Sequence, residues 1–169
     1  MPQFIMAFVR IVDRFNYLIG RFMMYTIFLL IGILAWSTIS KQLFVVPAFW
    51  TMEAAQFVLV AYYLVGGAYS IQLGSNVRMD LFYGDWSERK KAWVDCFTVL
   101  FLIFYLGVLL TGGINSTLYA IQYSELSPSL WRPLMWPIKS IMCFGIFLML
   151  LQAISELIKD IAKLRGVQI

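Results

Sequence analysis

The chain has no histidine. That excludes His-ligated metal centres, His-ligated haem and the usual general base. Charge is scarce too, at 13% of residues, where soluble domains carry about 25%. A chain this poor in charge does not read as one with a water-facing surface. Only two cysteines occur, Cys96 and Cys143. Each sits inside a separate apolar run, where a thiol behaves as a small hydrophobe and carries no information about redox compartment. Catalytic signatures are missing as well: there is no GxSxG, no glycine-rich phosphate loop, no CxxC and no HExxH. Asp80, Asp85 and Glu88 are acids of one loop without a metal-ligand pattern. Neither an enzyme nor a cofactor is expected.

What the chain does have is apolar length. Hydrophobic residues make up 62% of its 169 positions, and the mean hydropathy is +0.80. Four intervals hold no charged residue: 22–40, 54–77, 96–124 and 140–155, of 19, 24, 29 and 16 residues. A bilayer-spanning helix needs about 20 mostly apolar residues. The first three intervals suffice alone, and the fourth does if its helix starts near Pro137, since proline suits a first helical turn. The expectation is an all-α integral membrane protein, one membrane domain over 1–169, with four transmembrane helices at approximately 20–43, 51–73, 90–119 and 135–158.

With four spans, both termini share a side with the charge-dense segment 74–93. That side carries ten Lys and Arg residues: Arg10, Arg14, Arg21, Arg78, Arg89, Lys90, Lys91, Lys159, Lys163 and Arg165. The other side carries three: Lys41, Arg132 and Lys139. Basic residues collect in the cytoplasm, so both termini and the 74–93 loop are expected there. The formal charge of +4 does not point to nucleic acid, because its basic residues cap apolar runs instead of lining one polar face. The first basic residue is Arg10, and the apolar run that follows is longer than a signal-peptide core. The first span is therefore expected to be an uncleaved anchor.

Within residues 4–19, Phe4, Phe8, Ile11, Phe15 and Leu18 recur every three or four positions, with Arg10, Asp13, Arg14 and Tyr17 largely opposite. Two structures fit: an amphipathic helix lying at the cytoplasmic interface, or an extension of the first span. In the loop, "DWSE" at 85–88 has the form of a capping box that would open the third helix near Trp86, and Lys91 and Asp95 stand one turn apart. "SPSLWRPLMWPIKS", 127–140, holds three prolines along with Trp131, Arg132 and Trp136. It reads as an ordered extracytoplasmic turn and aromatic belt entering the fourth helix.

Charged groups near lipid usually mark a pathway or an ion pair. Here Glu53 and Gln56 lie near the outer end of the second helix, with Lys41, Arg132 and Lys139 on the same side as pairing candidates. The first span, "FMMYTIFLLIGILAWSTIS", has no Asp, Glu, Lys or Arg, whereas small four-helix multidrug exporters are built around a carboxylate in theirs. The chain reads as part of a transport machine without the transport site.

The order of elements resembles the small membrane subunit of tripartite ATP-independent periplasmic (TRAP) transporters over most of the chain. The resemblance rests on Glu53 at the outer start of the second helix and on "GSNVRMDLF" after it. There Gly74, Val77, Arg78 and Asp80 match a G-x-x-V-R-V-D pattern, with Met79 at the apolar position. Pro133, Trp136, Pro137 and Lys139 match a P-x-x-W-P-I-K pattern before the fourth helix. Asn76 stands where many relatives have histidine, and Met52–Glu53 where many have paired acids. The resemblance implies a bacterial inner-membrane helper subunit with two protein partners. One is a large multi-spanning permease, bound one-to-one, which holds the sodium ions; the other is a periplasmic protein that delivers an organic acid. Structural and subunit-contact candidates are Glu53, Gln56, Arg78, Asp80, Asp95, Arg132, Trp136, Pro137 and Lys139. The rival is a stand-alone four-helix exporter or an assembly factor of another membrane complex.

Overall fold

Inside hydrocarbon every backbone N–H and C=O has to be satisfied within its own segment, which forces long apolar runs into helices. The computed structural model describes residues 3–43, 48–74 and 88–164. Among these residues there are four helices: α1 (Gln3–Leu43), α2 (Phe49–Gln72), α3 (Glu88–Gln122) and α4 (Trp136–Leu164). Each contains a stretch long and apolar enough to cross a membrane. Among the described residues there is no strand, only an isolated antiparallel bridge between Leu126 and Leu134.

Sequential helices run antiparallel. Asp13, Gln72 and Lys159 therefore meet at one end of the bundle, called here the terminal side. Ser37, Thr51, Glu53 and Ser127 meet at the other, the loop side. α2 and α4 pack together at the centre; α1 lies along α2 with a smaller contact to α4, and α3 packs chiefly on α4. Close approach is set by missing side chains. A Cβ on Gly145 of α4 would stand 2.7 Å from the Leu64 backbone of α2, and one on Gly67 of α2 would stand 2.6 Å from the Met149 sulfur. Small residues at helix interfaces allow the close dispersion contact that substitutes for hydrophobic drive in lipid. Around these crossings lie two apolar clusters, Met23–Val65–Ala68–Leu148 and Leu106–Ile146–Ala153.

α1 settles the alternatives for the N-terminal segment. It is one element of 41 residues, about 60 Å long at 1.5 Å per residue, so residues 4–19 extend the first span instead of forming a separate interfacial helix. The face that packs inward is not the expected apolar stripe either. Val9, Val12 and Asn16 are buried, while Ile11, Phe15 and Leu18 are exposed. The reason is that α4 supplies hydrogen-bond partners to the Asp13–Asn16 face.

Both helix ends that flank the loops are closed by backbone geometry. α2 stops at Gly74, whose φ of 62° suits a residue without a Cβ; its N–H donates to the Ile71 carbonyl. At the end of α3, Glu125 N–H bonds the Ala120 carbonyl and Ser124 N–H the Ile121 carbonyl. Ser124 sits at φ 47°, so this is a Schellman ending with serine where glycine is usual.

Candidate functional site

The polar side chains collect at the two ends of the bundle. On the terminal side a network joins α1, α2 and α4. Lys159 Nζ donates to Asp13 Oδ2 at 2.7 Å and to Glu156 Oε1 at 2.8 Å. Asp13 Oδ1 also accepts from Gln152 Nε2 at 3.0 Å and Ser155 Oγ at 3.1 Å. Asn16 Nδ2 donates to Gln152 Oε1 at 2.7 Å, and Gln72 Nε2 reaches the Asp13 backbone carbonyl at 3.1 Å. Asn16, Gln152 and Ser155 are buried. A carboxylate holding three donors in a low-dielectric setting is well compensated, so this network fastens the N-terminal extension of α1 to the end of α4.

Sequence reasoning missed this network, although a signal exists. Gln152, Ser155, Glu156 and Lys159 fall at i, i+3, i+4 and i+7, one stripe of α4. Asp13 and Asn16 share the face of α1 that carries Val9 and Val12.

On the loop side, the segment between α3 and α4 is ordered by its own bonds. Ser127 N–H donates to the Pro133 carbonyl and Met135 N–H to the Glu125 carbonyl. Arg132, at φ 47°, donates its N–H to Ser129 Oγ. Glu53 is buried, and its Oε1 accepts from Ser127 Oγ at 3.2 Å. Its Oε2 is buried without a hydrogen-bond partner among the described residues. Among the described residues, Glu53 does not pair with any of its three basic candidates: Lys139 bonds Glu125 instead, and Lys41 and Arg132 are exposed. The Schellman ending explains the choice, since it holds Glu125 beside the first turns of α4, where Lys139 projects.

The remaining candidates are dispersed. Gln56 is exposed one turn below Glu53, and Asp95 is half-buried near the start of α3. Trp136 and Pro137 open α4 as its first two residues and are exposed. Arg78 and Asp80, the capping box from Asp85 and the surface segment around them lie outside the described residues. Among the described residues no group of three or more potential ligand side chains stands ready to hold a metal. Cys143 is half-buried; its sulfur lies 3.3 Å from the Thr117 hydroxyl and packs against Gly113.

The arrangement is a membrane bundle with charge at its two ends and an apolar middle in every span. Comparison with curated proteins and with solved structures returned no match. The family model "Tripartite ATP-independent periplasmic transporters, DctQ component" matches residues 10–163, which takes in all four spans and both polar ends. The protein is therefore a multi-pass inner-membrane transporter subunit and not an enzyme, and the chain belongs to the DctQ family, the small membrane component of TRAP transporters that work with a large permease and a binding protein.

Proposed function

We propose that this subunit is a non-transporting helper: it binds the large permease one-to-one and widens that partner's static scaffold. The large permease would move an organic acid, delivered by the binding protein, on a sodium gradient. The observation that carries this reading is the distribution of charge. Between Arg21 and Lys41, Glu53 and Gln72, Asp95 and Gln122, and Lys139 and Glu156, no Asp, Glu, Lys or Arg occurs. A carboxylate or a sodium ion crossing the bilayer needs groups that replace its water, and these spans offer none at mid-membrane. Their outer faces instead present large apolar side chains such as Phe22, Phe28, Phe101 and Phe104, which suit lipid or a permanent partner.

The loop-side residues Glu53, Gln56, Arg132 and Trp136 and the terminal-side residues Arg78, Asp80 and Asp95 are the candidates for contact with the partners. The unpaired Glu53 oxygen makes that residue the foremost of them. Pro137 and Lys139 hold the entry to α4. Orientation follows the Lys and Arg asymmetry, with the terminal side in the cytoplasm.

Co-expression of the tagged chain with its large permease tests the association. The expected result is a detergent-stable complex with equal numbers of the two chains. Recovery of the tagged chain without the permease would contradict it. Reporters fused after Gly166 and within 125–130 test orientation, the first expected in the cytoplasm and the second outside it.

A further inference from the structure

An apolar groove of about 550 Å³ lies along α1 and α2, lined by Gly20, Met24, Tyr62, Gly66, Tyr69 and Leu73 among others, with Leu102 of α3 and Met149 of α4 also in its wall. Its volume falls within the roughly 300–1,000 Å³ of clefts that hold small ligands. Met24, Tyr63 and Leu73 are exposed at its lips, so it opens onto the bilayer. Its floor differs from the nearby helix crossings. A Cβ on Gly20 would collide with Tyr69 and one on Gly67 with Met149, whereas a Cβ on Gly66 would meet nothing within 4 Å. Gly20 and Gly67 allow helices to touch, while Gly66 leaves open space in the groove. Glycine inside a helix costs about 1 kcal/mol relative to alanine, and packing against this chain does not explain Gly66.

A basic stripe of α1 runs beside the groove's α1 wall. Arg10, Arg14, Tyr17 and Arg21 recur at intervals of four, three and four residues, one exposed stripe of α1. Tyr17 ties that stripe to the groove: its ring meets the Tyr69 ring edge-on, with centroids 5.7 Å apart. Arg14 and Arg21 each stand one turn from Tyr17, at the level where the groove approaches the terminal side. The one acid near this stripe on α1, Asp13, is turned inward and engaged by Lys159, Gln152 and Ser155.

We propose that the groove and the stripe together bind one anionic phospholipid from the terminal-side leaflet. An acyl chain lies along Tyr62, Gly66 and Leu73, and the phosphate lies against Arg14 and Arg21 beside the Tyr17–Tyr69 pair. Charge complementarity selects the occupant. An apolar groove alone would accept any acyl chain, but a basic stripe at headgroup level favours a lipid with net negative charge.

Native mass spectrometry of the full-length chain, delipidated in a neutral detergent and titrated with phosphatidylglycerol or phosphatidylcholine, tests this. The native chain should retain one phosphatidylglycerol in preference to phosphatidylcholine. Arg14→Gln and Arg21→Gln should each weaken that retention about fivefold, the effect of one basic residue near an anionic surface. Gly66→Leu should abolish retention of both lipids while helix content is unchanged. Arg132→Gln, on the loop side, should change nothing. Equal retention of the two lipids by the native chain would overturn the proposal, as would undiminished phosphatidylglycerol binding in Gly66→Leu. Should Gly66→Leu fail to fold, the exposed-arginine variants decide: binding unchanged in Arg14→Gln and Arg21→Gln overturns the proposal.

Discussion

The two ends of the bundle treat a carboxylate in opposite ways. On the terminal side, Asp13 receives Lys159, Gln152 and Ser155, and three helices are tied together through it. On the loop side, Glu53 is buried more deeply than Asp13 yet receives one hydroxyl, and its second oxygen has no hydrogen-bond partner among the described residues. The nearby lysine is committed to Glu125. The terminal side thus clamps its carboxylate, although Asn16 Oδ1 and Gln72 Oε1 there are buried without a hydrogen-bond partner among the described residues, and the loop side holds an acid that internal bonding satisfies only by half. Burying polar groups is costly unless they are bonded, so Asp13 stabilises this subunit by itself, whereas Glu53 contributes little to it.

The largest effect that would break this comparison is at Asp13. Asp13→Ala leaves Lys159, Gln152 and Ser155 without their shared acceptor, and should destabilise the isolated subunit by about 3 kcal/mol, measured as reversible unfolding in mixed micelles. A loss below about 1 kcal/mol would mean that the terminal-side network is not a clamp.

Next comes the helix crossing between the two ends. Gly145→Ala places a methyl group against the Leu64 backbone and should cost about 1–3 kcal/mol by overpacking. Gly66→Ala, with open space around it, should be neutral or slightly stabilising in the same assay.

Lys139→Gln sharpens the loop-side half. The Lys139–Glu125 pair is only partly buried, so its loss should cost about 0.5–1 kcal/mol, visible as a small drop in thermal midpoint.

The smallest effect is expected at Glu53. Glu53→Gln keeps the shape, can keep the Ser127 bond and removes a poorly compensated charge. The isolated subunit should be unchanged or slightly more stable. Destabilisation as large as that of Asp13→Ala would show that the two ends are equivalent after all.

The sequence disclosed the number of spans because hydrocarbon demands long uncharged runs, and nothing else in the chain competes with that signal. The start of α4 at Trp136–Pro137 was legible for the same reason, with proline marking its first turn. The polar contacts were less legible. Glu53, Lys41, Arg132 and Lys139 share a side, but which of them pair depends on the Schellman ending at Ser124, whose serine in place of glycine gives no sequence warning. The Asp13 network was hidden in another way. Counting charge-free intervals leaves Gln152 and Ser155 unremarked inside the fourth interval and Glu156 and Lys159 beyond its end, when a helical projection would have gathered them on one stripe. α1 hid its packing face because its apolar stripe faces outward and its mixed face inward, the reverse of the usual amphipathic rule.

Uptake measured in liposomes with a sodium gradient tests the central claim most directly: the subunit is required for transport and provides no path of its own. The large permease, this chain and the binding protein are reconstituted together and with each component left out in turn, and entry of a labelled organic acid is followed. Uptake is expected only when all three proteins and the gradient are present, with none from this chain alone. Uptake by this chain alone, or undiminished uptake by the large permease without it, would contradict the claim.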